Sequence, residues 1–117
     1  MVRKDLKYEG YNCYLFVGLY PQAPNKNIAL ALRDMEGDGD IAKCTVNPEV
    51  KFPQTHACIK NWSENEGVLM FLLANKILIH DDTAMDIEMC PCLRIADDVY
   101  KEYLEVLERF NNETEDI

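Results

Sequence analysis

The spacing of apolar side chains changes period at Asn61, and that change constrains the fold more than any other feature. Before it, apolar residues run in dense blocks or alternate. Residues 11–20 form an aromatic and aliphatic run that reads as a strand with two apolar faces. Pro21, Gln22, Ala23, Pro24 and Asn25 end it in a loop. Ile28, Leu30 and Leu32 then alternate with Ala29, Ala31 and Arg33, the period of a second strand. Glu36-Gly37-Asp38-Gly39-Asp40 is a turn sequence, and residues 41–46 read as the returning strand of a β-hairpin. Residues 55–60 give a short fourth strand.

After Asn61 the period is helical. Ser63 and Glu66 have capping-box spacing, and Val68, Leu69, Leu72 and Leu73 form an apolar stripe behind them. Asn75 suits a left-handed helix end. Residues 77–79 are apolar and short, Asp81-Asp82-Thr83 is a turn, and residues 84–95 read as one strand. On that strand Met85, Ile87, Met89, Pro91, Leu93 and Ile95 share one face, and Cys90, Cys92, Asp86, Glu88 and Arg94 share the other. Pro91 removes a ladder donor, which places this strand at an edge or at a bulge. Asp97 or Asp98 caps a last helix whose apolar face is Val99, Tyr103, Leu107 and Phe110. The expected fold is α+β: a mostly antiparallel sheet of about five strands with two helices, one after residue 63 and one C-terminal. Residues 1–110 form a single domain, and residues 111–117 a frayed acidic tail.

With 117 residues, the chain is long enough for one core and too short for two. No apolar run is long enough to span a bilayer, and the basic residues near Met1 have no apolar segment behind them. A cytoplasmic location is the expectation. The net charge is −9, and its distribution is uneven. Residues 81–117 carry twelve acidic and three basic side chains, so the whole imbalance lies there. Such a surface repels nucleic-acid phosphates and attracts a basic protein surface. The alternative is a solvated face that aids solubility.

Two segments carry a resemblance. One is Ala57-Cys58-Ile59-Lys60-Asn61-Trp62-Ser63-Glu64-Asn65-Glu66-Gly67-Val68-Leu69. The other is Ile28-Ala29-Leu30-Ala31-Leu32, followed by an acidic Gly turn and Ile41-Ala42-Lys43-Cys44-Thr45-Val46-Asn47. Together they resemble a family of uncharacterised short proteins from conjugative elements and phages of gut Firmicutes, which carry an Ile-Lys-x-x-Ser-Glu-Asn-Glu-Gly motif. The resemblance covers roughly residues 28–95. It departs at Ala74-Asn75, where that family's helix ends in Ala-Gly. It implies an accessory protein of a mobile element in a bacterial cytoplasm, and no particular activity.

Candidate chemistry is sparse. The five cysteines are Cys13, Cys44, Cys58, Cys90 and Cys92. An odd count without a secretory signal points to reduced thiols. Cys58, Cys90 and Cys92 are weak metal candidates, with His56 or His80 completing a zinc site. His56 and Cys58 share a strand face and could form a thiol–imidazole pair. Asp34-Met35-Glu36-Gly37-Asp38-Gly39 imitates an EF-hand loop but lacks its glutamate, since Thr45 occupies position twelve. Glu64 and Glu66 are already explained by capping. Trp62 is a core residue or an exposed anchor. There is no Walker loop and no dinucleotide-binding glycine pattern.

The leading expectation is a non-enzymatic, acidic protein-interaction module with no cofactor. It inhibits a host defence nuclease, in the manner of an anti-CRISPR or anti-restriction DNA mimic, by occupying a basic groove. The candidate partner-binding residues are Asp81, Asp82, Asp86, Glu88, Asp97, Asp98, Glu102 and Glu105. The alternatives are a small cysteine-based metal-binding or redox regulator, a Cys58–His56 enzyme, and a plasmid transfer or maintenance accessory protein. A homo-oligomer is compatible with all of them.

Overall fold

A computed structural model describes residues 3–22, 26–37 and 39–115. The expected loop at residues 23–25, the turn residue Asp38 and the last two tail residues lie outside the described residues. The class is α+β with a C-terminal helix. Among the described residues the strands form two antiparallel sheets of four strands each, where the sequence suggested one sheet of about five.

The first sheet is a meander of β1 (Leu6–Tyr8), β2 (Tyr11–Leu19), β3 (Ile28–Asp34) and β4 (Asp40–Lys43). Cys13, Leu15 and Val17 of β2 face the core beside Leu30 and Leu32 of β3, in register Leu15↔Leu32 and Val17↔Leu30. The opposite face is half-covered, with the Arg33 guanidinium lying 3.6 Å from the centre of the Phe16 ring. Gly18 makes room for that ring, since a Cβ at this position would stand 3.0 Å from it. The acidic turn closes the β3–β4 hairpin as expected. Asp34 folds back to accept the Glu36 N–H at 2.9 Å, a turn geometry flanked by strands rather than by EF-hand helices.

The second sheet is built on β8 (Cys90–Ile95). On one side lies β5 (His56–Cys58). On the other, β6 (Leu78–Ile79) and β7 (Met85–Ile87) lie end to end. The sheets meet where Thr45 bridges Ile59, with the Val46 N–H donating to the Cys58 carbonyl and the Lys60 N–H to the Cys44 carbonyl. The expected single strand over residues 84–95 is therefore a hairpin. Its two turn residues, Glu88 and Met89, both have left-handed backbone (φ 52° and 67°), the geometry of a type I′ turn. The sequence hid this turn because neither residue is Gly, Asn or Asp. Nor is β8 an edge strand. Pro91 lies opposite Ile59, just past the end of β5, and its carbonyl accepts the Ile59 N–H at 2.9 Å. Its missing donor thus falls beyond the β5 ladder.

The first helix, α1 (Val68–Ala74), starts later than the capping box implied. Ser63 has φ 58° and belongs to a separate 3-10 turn (Ser63–Asn65). The N-cap residue is Gly67, with φ 92°. Asn61 replaces the expected serine cap, its Oδ1 accepting the Leu69 N–H at 3.2 Å. Asn65 is buried and donates to the Lys43 carbonyl, which ties the turn to β4. At the other end the left-handed residue is Lys76 (φ 55°), one place beyond the expected Asn75. The Lys76 and Ile77 N–H groups bond the Leu73 and Leu72 carbonyls, a Schellman end sealed by buried Ile77 against buried Leu72. Lys76→Gly removes a left-handed penalty of about 1 kcal/mol and should raise the melting temperature by a few degrees. A thermal melt that falls would show that the lysine side chain itself holds this end.

The second helix, α2 (Asp97–Glu115), begins at Ala96, whose carbonyl accepts the Tyr100 N–H at 2.9 Å. Asp97 and Asp98 thus occupy the first turn instead of capping it, where their charge still suits the helix dipole. The helix runs through residues 111–115, which were expected in the polar tail. Val99 and Tyr103 are fully buried, and the Tyr103 hydroxyl donates to the Lys26 carbonyl. Among the described residues no helix is long and apolar enough to cross a membrane.

Candidate functional site

The eight candidate acids are not equivalent. Asp81 accepts from Arg94 at 2.7 Å and from the Thr83 N–H at 2.9 Å. Thr83 first, then Arg94, hold its carboxyl well below the usual carboxylate range. Asp98 is gripped by Arg3, Nε to Oδ2 at 2.8 Å and Nη2 to Oδ1 at 3.1 Å, which also lowers its pKa. Glu102 is half-buried on α2. Asp82, Asp86, Glu88, Asp97 and Glu105 stand exposed. Arg94 pairs with Asp81 and lies 3.9 Å from Asp97, so the acidic turn and the start of α2 share one corner. On α2 the helical period carries Asp97, Glu105 and Glu108 onto one solvent face, with Lys101 between them.

Arg3 was missed in the sequence because it acts across the fold. Besides Asp98, its guanidinium donates to the Asn75 carbonyl at 2.7 Å and the Lys76 carbonyl at 2.9 Å. It therefore neutralises the C-terminal end of α1 and the N-terminal acid of α2 at once. The folded pKa values of Asp81 and Asp98 lie below their unfolded ones. Their stabilising effect is complete above about pH 4 and is lost as pH falls below it, toward the folded values. Denaturation midpoints measured from neutral pH down to about pH 3 should therefore fall. Arg3→Ala should flatten that fall, and an unchanged slope would mean that other groups control it.

The hairpin tip adds an apolar element beside the acids. Met89 is 96% exposed, and Trp62 is 47% exposed. Trp62 is thus exposed rather than a core residue. Both line a groove of about 470 Å³ with Asn61, Glu88, Cys90 and Pro91. Two left-handed, non-glycine residues at an exposed tip cost stability, and backbone strain of this kind concentrates at functional sites.

The weak metal candidates do converge. Cys58, Cys90 and Cys92 are buried together with Phe52 in a cluster separate from the main core. Cys58 lies directly opposite Cys92 in the register of β5 against β8, inside this cluster. His56 is buried and turned aside, with Nδ1 on the Thr55 hydroxyl and Nε2 on the Thr83 hydroxyl, both at 2.9 Å. The candidate His56–Cys58 pair does not form: His56 bonds the two threonines, and Cys58 faces Cys92. The hydrogen bond to Cys92, then burial, pushes the Cys58 thiol up, the opposite of an activated nucleophile. Among the described residues, no three or more His, Cys, Asp or Glu side chains are placed to hold a metal ion. Glu66 is exposed, well away from any capping role.

The chain matches no protein-family profile, no curated protein and no solved structure. The reading of function therefore rests on this surface.

Proposed function

We propose that the chain is a non-enzymatic, acidic protein-interaction module of a bacterial mobile element or phage, acting in the cytoplasm. It blocks a host defence nuclease by occupying that protein's basic nucleic-acid-binding surface. One observation carries the reading. The entire −9 charge belongs to residues 81–117, and Asp82, Asp86, Glu88, Asp97 and Glu105 present it outward from the 81–83 turn, the β7–β8 hairpin and α2. Carboxylates on a hairpin and a helix can track a basic groove as phosphates do. The Trp62–Met89 groove supplies the apolar contact around which interface hot spots form.

The strained tip gives a separable test. Replacing Glu88 with Asn and Met89 with Gly suits a type I′ turn and should stabilise the domain by about 1 kcal/mol. The same change deletes a charge and the exposed methionine, so inhibition of the nuclease should weaken by about tenfold. A variant that is both more stable and fully inhibitory would place the contact elsewhere. Capture of only the element's own proteins would favour a transfer or maintenance role instead.

A further inference from the structure

Of the clustered thiols, Cys90 lines the Trp62–Met89 groove while Cys58 and Cys92 do not, and the register of these two is informative. Cys58 lies directly opposite Cys92 on antiparallel β5 and β8. Flanking bonds run from the Ile59 N–H to the Pro91 carbonyl and from the Ile95 N–H to the Thr55 carbonyl, both 2.9 Å. The hydrogen-bonded pairs of this ladder therefore fall at 55/95, 57/93 and 59/91. That leaves 58/92 as a non-hydrogen-bonded pair, where Cα atoms approach to about 4.5 Å and side chains come closest. This spacing lies within the range a disulfide requires, about 4.4–6.8 Å. Both thiols are buried in the same small cluster. Cys13 and Cys44, by contrast, sit in the main core.

We propose that Cys58 and Cys92 are an intramolecular disulfide site, closed by exchange with a low-molecular-weight disulfide, with Cys90 as the neighbouring third thiol. The Cys92 thiolate, stabilised by the Cys58 S–H, attacks one sulfur of the small disulfide. The S–S bond of that molecule breaks, a mixed disulfide forms on Cys92, and one small thiolate leaves. Cys58 then gives its proton to solvent and attacks the Cys92 sulfur, expelling the second small thiolate. Two protein thiols lose two electrons in total, and the small disulfide gains them. Both thiols are buried, so reaction proceeds through local opening of β5, which is only three residues long. The closed bond would enclose α1, β6 and β7, and with them Asp82, Asp86 and Glu88. Oxidation would thus lock the hairpin that carries Asp86 and Glu88.

The test treats the full chain with excess oxidised glutathione, blocks free thiols with N-ethylmaleimide and maps a non-reducing tryptic digest. Cys58 is the lone cysteine of peptide 52–60, and Cys90 and Cys92 share peptide 77–94, so the Cys90→Ser chain is run beside the parent. The expected result in both chains is a link between these two peptides and an intact mass lower by about 2 Da. It is accompanied by a melting temperature higher by roughly 10 °C and reversed by dithiothreitol. Low urea should speed the reaction without changing its product. Glutathione adducts without a link, a link through Cys13 or Cys44, a link lost in Cys90→Ser but kept in Cys92→Ser, or no reaction even in low urea would each overturn the proposal.

Discussion

Reversing Asp82, Asp86, Asp97 and Glu105 to lysine should reduce nuclease inhibition by about 100-fold or more while leaving the domain folded. Each exposed charge facing a basic groove contributes on the order of 1 kcal/mol to binding, and reversal adds repulsion. The four are chosen because they stand exposed. Asp81 and Asp98 are left alone because Arg94 and Arg3 already hold them, so changing them would damage the fold as well as the surface. Substitution of exposed side chains away from such pairs shifts stability by only about 0.5 kcal/mol each, and reversal at Asp97, fully exposed beside Arg94, adds a small further loss. A folded variant that retains full inhibition would remove the acidic surface from the account.

The largest effect on stability is expected at Tyr103. It is fully buried at the centre of α2's inner face, beside Val99. Tyr103→Ala removes a large ring from the core and should cost about 3–5 kcal/mol, lowering the melting temperature by roughly 10–20 °C. Tyr103→Phe keeps the ring but leaves the Lys26 carbonyl without its donor, a cost of about 1 kcal/mol. Calorimetry of both variants separates packing from hydrogen bonding. Equal losses would mean that the hydroxyl, and not the ring, anchors the helix.

The long alternating segments were legible from the sequence, because burial on one face leaves a period that a reader can count. β2, β3, the turn that follows and the inner face of α2 all belong to this group. The short elements were not. Glu88 and Met89 adopt a type I′ turn without the residues that announce one, so β7 and β8 read as a single strand. Ser63 and Glu66 have the right spacing for a cap, yet Asn61 performs that role from outside the helix. The two-sheet arrangement depends on the Thr45–Ile59 bridge, a pairing that no local pattern encodes. The candidate site divides in the same way. The acids were visible as charge, but their sorting into paired and outward-facing depends on Arg3 and Arg94, which reach across the fold. The Cys58–Cys92 contact becomes visible only once β5 is registered against β8.

The central claim is that the acidic surface binds a basic nuclease groove. The most direct measurement is affinity capture of the tagged chain from a bacterium with active restriction and RNA-guided nuclease systems. Capture is carried out at low and moderate salt and followed by assay of the recovered nuclease. The account predicts a basic effector that is retained at low salt, is lost steeply as salt rises, and cuts its substrate only after the acidic chain is removed. An effector that cuts normally while bound, or capture indifferent to salt, would contradict it.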